Sequence, residues 1–214
     1  MEIPIRFFHV PKTGGTTFRS YLKAIYPEGQ SLQDRPHAGF RGDHPDLVTG
    51  DPLFDDALTI TIFRDPVDRV LSFMNHIEER KSSVPPHRWA QPLDIDKFLV
   101  PGAVPIDNLV CRMVLGHPRE RKRSPKFLAE AAISLISKRI QHIGIFEYFD
   151  ASVEMFSKVL GWPEDRHPVP HRNRRIAEKG LQISKNQMEQ IYLQNLADYE
   201  VYNWAKANFL SKKI

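Results

Sequence analysis

Lys12-Thr13-Gly14-Gly15-Thr16-Thr17 sets one cation, two adjacent glycines and three hydroxyls side by side near the start of the chain. An apolar run, Phe7-Phe8-His9-Val10, leads into this stretch, and a helical pattern leaves it. A strand, a tight loop and a helix start bring backbone N–H groups, the positive end of a helix dipole and a lysine to one point. Such a point binds anions, most often phosphate. The usual nucleotide loop, G-x-x-x-x-G-K-[ST], carries its lysine after the glycines. Here Lys12 comes first and the leading glycine is absent. The sequence also offers no convincing acidic strand end for magnesium, which a kinase or NTPase needs to bridge its β- and γ-phosphates.

The elements that must hold this loop follow from the patterning of apolar residues. Residues 3–10 read as a buried strand. Phe18, Tyr21, Leu22 and Ile25 recur at helical spacing, and Pro27 ends that helix. Residues 27–46 read as loop, and 47–49 as a short strand ending at Gly50-Asp51-Pro52. Leu58 to Phe63 is β-branched and apolar on both faces, as a central parallel strand should be. It runs into Arg64-Asp65-Pro66, where Asp65 suits an N-cap and Pro66 the first helical position. Val67, Val70, Leu71, Met74 and Ile77 then form a helical stripe.

Residues 81–92 read as loop, and 105–116 and 125–138 as helices either side of a basic turn, Arg119 to Arg123. His142 to Phe146 reads as a short strand, residues 151–160 as a helix closed by Gly161, and Arg166 to Arg175 as a basic, proline-bound loop. Ser184 and Gln187 form a capping box that opens one long helix reaching Phe209. Strands alternating with helices predict an α/β domain with a central parallel sheet and right-handed crossovers. No repeat or boundary divides it, so residues 1–214 read as one domain.

The PKTGGTT stretch, Pro11 to Thr17, resembles the 5′-phosphosulfate loop of sulfotransferases that use 3′-phosphoadenosine 5′-phosphosulfate. The likeness is to the Golgi-type heparan 2-O- and 6-O-sulfotransferase group and its bacterial branch. Thr61 to Ser72 looks like the 3′-phosphate motif of that family, in which a strand-ending arginine and a serine eight residues later hold the phosphate. Gly144 to Phe149, the His171-Arg172-Asn173 loop, and Asp198 with Tyr202 are similar to the C-terminal half of the same branch. The resemblance implies a P-loop-like three-layer fold, a parallel sheet flanked by helices. It also implies the donor named above, and no metal.

On that reading the donor has anions at two ends. Gly14, Gly15, Thr16 and Thr17 would cradle the 5′ end together with Thr13, and Lys12 would neutralise the charge that develops as the sulfuryl group leaves. Arg64 offers a fork for the 3′-phosphate, joined by Ser72. Arg172 and Asn173 would close over the nucleotide. Arg69 reads first as a surface charge, and Phe146 and Trp162 first as core aromatics.

Sulfuryl transfer to a hydroxyl needs a general base. The resembling family commonly places a histidine directly after a glycine between the two donor motifs. This chain has Gly50-Asp51 there. Asp51 is therefore the first candidate, with His44 and then His37 behind it, while His9 reads as a core or supporting histidine. Two other classes stay open: a small P-loop kinase acting on a metabolite, and a protein that binds the donor or its product without catalysis.

Composition sets wider bounds. With 214 residues and 41% hydrophobic content, the chain can bury a full core. One cysteine, Cys111, excludes an internal disulfide framework and reads as a small buried hydrophobe. The strand pattern beginning at Ile3 leaves no room for a signal peptide, and no apolar run reaches the ~20 residues of a membrane span. A cytoplasmic protein is expected. A net charge of +4 suits anionic ligands. Basic residues clustered in loops without interleaved aromatics argue against nucleic acid. The expected acceptor is a saccharide or glycolipid hydroxyl.

Overall fold

The computed structural model describes residues 5–25, 31–32, 58–79, 94–101, 106–116, 123–162 and 181–211. Among these the elements run β1 (Ile5–Phe8), α1 (Gly15–Ile25), β2 (Ser31–Leu32), β3 (Leu58–Phe63), α2 (Pro66–Glu79), α3 (Ile95–Leu99), α4 (Leu109–Leu115), α5 (Pro125–Arg139), β4 (His142–Ile145), α6 (Phe149–Val159), α7 (Lys185–Gln194) and α8 (Leu196–Ser211). A 3-10 turn, Phe146–Tyr148, joins β4 to α6. The fold is mixed α/β and mostly helical.

The strands lie in the order β2-β1-β3-β4, all parallel. Three of them carry the sheet, since β2 has only two residues. Side-chain alternation divides the sheet into two apolar faces. Ile5, Phe7, Ile60 and Ile62 pack with Phe18, Tyr21, Leu22 and Ile25 of α1 and with Phe156 of α6. On the opposite face Phe8, Phe63 and Ile145 pack with α4, α5 and α8. A third cluster joins α2 and α3 to Ile191 of α7.

This strand order has a functional consequence. From β1 the chain leaves to one neighbour, and from β3 to the other. The connecting helices α1 and α5 lie on opposite faces. Open parallel sheets bind ligands outside the carboxyl ends of the strands at such a reversal. In this chain the reversal lies between the ends of β1 and β3. The Thr61 hydroxyl donates to Phe8 O across them at 2.7 Å and fixes their separation.

Several elements match the pattern reading closely. The β3 strand has the expected bounds. Asp65 Oδ1 accepts from Val67 N at 2.9 Å and Asp68 N at 3.1 Å, the N-cap anticipated for α2. Both hydrogen bonds of the Ser184–Gln187 capping box are present. Cys111 is fully buried and its thiol is pushed up by desolvation, in line with the small buried hydrophobe expected.

Other elements differ. The first strand stops at Phe8, two residues short of the expected Val10, and the turn begins at Pro11. A strand pair forms at Ser31–Leu32, inside a stretch read as loop. The helix read over 105–116 is confined to Leu109–Leu115, preceded by Asn108 at φ 44°. The long final helix is two helices. At the break, Asn195 Nδ2 donates to Ile191 O at 2.8 Å, while Asn195 Oδ1 accepts from Asn108 N at 3.1 Å. A side chain that competes for backbone partners in this way interrupts a helix. The expected strand at 47–49 and the loops at 81–92 and 166–175 lie outside the described residues.

Candidate functional site

The loop between β1 and α1 is shaped by two backbone reversals. Lys12 has φ 69° and Gly14 has φ 82°. Glycine takes this conformation freely, whereas lysine pays a steric cost. Thr13 is fully buried, and its hydroxyl donates to Val10 O at 2.8 Å, which ties the loop back onto the strand. That hydroxyl is committed, so Thr13 can offer a ligand only its backbone. Helix α1 begins with Phe18 N donating to Gly14 O at 3.1 Å. Gly14 thus occupies the N-cap position and has no side chain to cap with. The first turn of α1 also carries no acidic residue. The N–H groups of Gly15, Thr16 and Thr17 are those that an α-helix leaves without an intrahelical acceptor.

Both glycines are required by close neighbours. A Cβ on Gly14 would lie 2.9 Å from the Phe146 ring, and one on Gly15 would lie 2.0 Å from the His9 imidazole. His9 itself is held by Arg19 of α1, whose Nη2 is 2.7 Å from His9 Nδ1. Arginine has no acceptor, so Nδ1 accepts and the neutral ring carries its proton on Nε2. Burial, with Arg19 and Lys12 adding positive charge nearby, lowers the His9 pKa from 6.5 to about 3. His9 is therefore a neutral strut beneath the loop and not a base, in keeping with the sequence reading.

This predicts an acid-sensitive fold. Between pH about 6.5 and about 3 the unfolded chain binds a proton at His9 that the folded chain does not. The unfolded state then holds more protons, so stability falls with acidification, by up to about 1.4 kcal/mol per pH unit. Urea unfolding should show a His9-dependent loss of about 0.7 kcal/mol from pH 7 to 6 and about 1.2 kcal/mol from pH 6 to 5, absent in His9→Gln.

The second half of the site stands at the end of β3. Arg64 Nη1 donates to Lys12 O at 3.3 Å, so the strand-ending arginine touches the loop directly. Its guanidinium carbon lies 4.4 Å from the centroid of the Phe146 ring. Burial lowers the Arg64 pKa, opposed by Asp68, Glu147 and Asp65, and the group stays charged. Arg64 Nε is buried without a hydrogen-bond partner among the described residues. Ser72 lies about two turns into α2 and is half-buried.

Some placements depart from the first reading. Arg69 is 1% exposed and sits in the interior. It donates to Ile106 O at 3.0 Å and approaches Asp198 Oδ2 at 4.0 Å. Asp198 in turn accepts from the N–H groups of Val110 and Cys111, so its role is to cap α4. Trp162, by contrast, packs in the core beside Phe18 as the sequence reading expected. Phe146 supports Arg64 and Gly14. Asp51, His44, His37, Arg172 and Asn173 lie outside the described residues.

Glu147, Tyr199 and Tyr202 were not singled out as partners of the Arg64-Asp65 junction. Asp65 N donates to Glu147 Oε1 at 2.9 Å, and Tyr202 Oη donates to Glu147 Oε2 at 3.0 Å. Tyr199 Oη donates to Asp65 Oδ1 and Oδ2 at 3.1 and 3.2 Å. These pairs span 55 to 134 residues, beyond any local pattern. Only the closeness of Tyr202 to the Asp198 motif hinted at them.

The arrangement combines an open helix N-terminus, a lysine on a reversed backbone and a planar cation at the sheet's reversal point. Chemically it can grip an anion from two sides. The chain matches no known family model and no curated protein. The likeness to sulfotransferases therefore rests on the motifs themselves.

Proposed function

We propose that the protein transfers a sulfuryl group from 3′-phosphoadenosine 5′-phosphosulfate to an acceptor hydroxyl on a saccharide or glycolipid, within a P-loop-like three-layer fold. One observation carries this reading most: Arg64 and the Lys12 loop meet, Nη1 to Lys12 O, across the carboxyl ends of β3 and β1. A donor with anions at both ends of one nucleoside would use both cations, Arg64 at the end of β3 and Lys12 on the loop after β1. A nucleoside triphosphate, with its charge in one run, leaves the second anchor without a role.

In this reading Gly14, Gly15, Thr16 and Thr17 hold the 5′-phosphate, and Thr13 supplies backbone only. Arg64, Ser72, Arg172 and Asn173 hold the 3′-phosphate and nucleotide. The acceptor oxygen attacks sulfur in line, the S–O bond to the 5′-phosphate breaks, and 3′-phosphoadenosine 5′-phosphate leaves. Lys12 neutralises the leaving phosphate oxygen. Asp51, or His44 in its place, takes the acceptor proton.

Calorimetry with 3′-phosphoadenosine 5′-phosphate against ATP–Mg²⁺ tests the donor. Tighter binding of the former is expected, and the reverse preference would make the protein a metabolite kinase. A screen of glycan acceptors with radiolabelled donor then tests transfer. Binding without sulfated product from any acceptor would leave a nucleotide-binding protein.

A further inference from the structure

Two consecutive residues after β3 meet two consecutive residues after β4. Arg64 lies over Phe146, and the next residue, Asp65, donates its N–H to the next, Glu147. The remaining Glu147 oxygen is taken by Tyr202 of α8. Asp65 is held a second time by Tyr199 on the same helix. Burial, then the adjacent carboxylates, push both tyrosine pKa values up, so both phenols remain donors. Hydrogen bonds from a donor to an ionised carboxylate are the stronger kind.

This frame bears on how Arg64 is presented. A long side chain loses rotamer freedom when it grips a ligand, and a guanidinium set in advance loses less. Arg64 Nε lacks a partner among the described residues. What sets the group is its Nη1 hydrogen bond to Lys12 O, the ring beneath it and a fixed backbone at Asp65. We infer that Glu147 and Tyr202 are positioning residues for Arg64, and that helix α8 thereby governs how strongly the protein prefers a nucleotide bearing a 3′-phosphate. The inference rests on the donor reading above and adds the element that tunes it.

Glu147 acts on Arg64 in two opposed ways. Its geometry presents the guanidinium, while its negative charge weakens the pull on phosphate. Substitutions separate the two. Glu147→Gln keeps an oxygen for Asp65 N–H and removes the charge, whereas Glu147→Ala removes both. Tyr202→Phe removes one hydroxyl and keeps the buried ring. Val201→Ala, at a core position 1% exposed on α8, loosens the same helix without touching the clasp.

The measurement is the ratio of affinities for 3′-phosphoadenosine 5′-phosphate and adenosine 5′-phosphate, by calorimetry on the full chain. Tyr202→Phe and Glu147→Ala should each lower that ratio by up to about tenfold, the cost of ordering one long side chain that is no longer set in advance. Val201→Ala should keep it, Glu147→Gln should raise it because the geometry stays while the opposing charge goes, and adenosine 5′-phosphate alone should bind all variants alike. If Glu147→Ala and Glu147→Gln raise the ratio together, charge governs the site and the positioning role is wrong. An unchanged ratio in Tyr202→Phe overturns it as well. A wild type that binds both nucleotides equally overturns the donor reading itself, and the inference with it.

Discussion

On the proposed sulfuryl-transfer reading, Lys12→Gly should give a protein at least as stable as the wild type with turnover reduced on the order of 100- to 1000-fold. Lys12→Ala should lose turnover equally, without the gain in stability. The reason is the φ of 69° at Lys12. A residue with a Cβ pays roughly 1 kcal/mol to hold that conformation, and glycine does not. Part of the gain is returned because glycine adds freedom to the unfolded chain. The comparison with alanine is therefore the cleaner one, since alanine keeps the Cβ and the strain. On activity the two should agree. Removing a preorganised group that meets developing charge costs on the order of 100- to 1000-fold in turnover. Urea unfolding and a radiolabelled-donor assay on the three proteins separate the effects. Full turnover in Lys12→Ala would sink the mechanism. A Lys12→Gly protein less stable than Lys12→Ala would show that the loop carries no strain. The expected pairing, strain retained where a cation is needed, is what functional loops tend to do.

Lys12 and its loop were legible because their signal is local. Glycine pairs, a lysine and a following amphipathic helix lie within a few residues of each other, and each has a direct structural meaning. The same holds for β3, for Asp65 as an N-cap and for the Ser184–Gln187 box. Arg69 shows where local reading stops. On α2 its position looks like any helix surface, yet its partners Ile106, Asn195 and Asp198 come from distant segments and bury it. The break at Asn195 is hidden for the same reason, since the asparagine satisfies Asn108 across the fold as well as Ile191 on its own helix. Glu147 could be placed on the turn after β4, but only the fold reveals that it faces Asp65. The family likeness reached Tyr202 and Asp198 as positions without the chemistry that separates them: one faces the Arg64 junction, the other caps a core helix.

Asp198→Ala should cost about 3–5 kcal/mol of stability, the toll of leaving a buried charge without its partner. Against a usual total of about 5–15 kcal/mol, much of the fold's margin is lost. Arg69 and Asp198 are each 1% exposed. The carboxylate does two further things. It accepts from Val110 N and Cys111 N, both at 2.9 Å, at the start of α4. The exchange is mutual, because Asn108, just before α4, accepts from Ala197 N at 2.9 Å and Asp198 N at 3.2 Å at the start of α8. Two helices therefore cap one another, with Arg69 beneath the junction. Alanine at 198 orphans two buried N–H groups and leaves the Arg69 guanidinium, still hydrogen-bonded to Ile106 O, without its counter-charge. Asparagine keeps an oxygen for one of those N–H groups and should cost clearly less. Arg69→Met combined with Asp198→Asn removes both charges and should be more stable than Asp198→Ala alone, since the unpaired cation is gone. Urea unfolding of Arg69→Met, Asp198→Asn and the two combined gives the coupling directly. Losses that simply add, or a cost below about 1 kcal/mol for Asp198→Ala, would mean that Arg69 does not depend on this carboxylate.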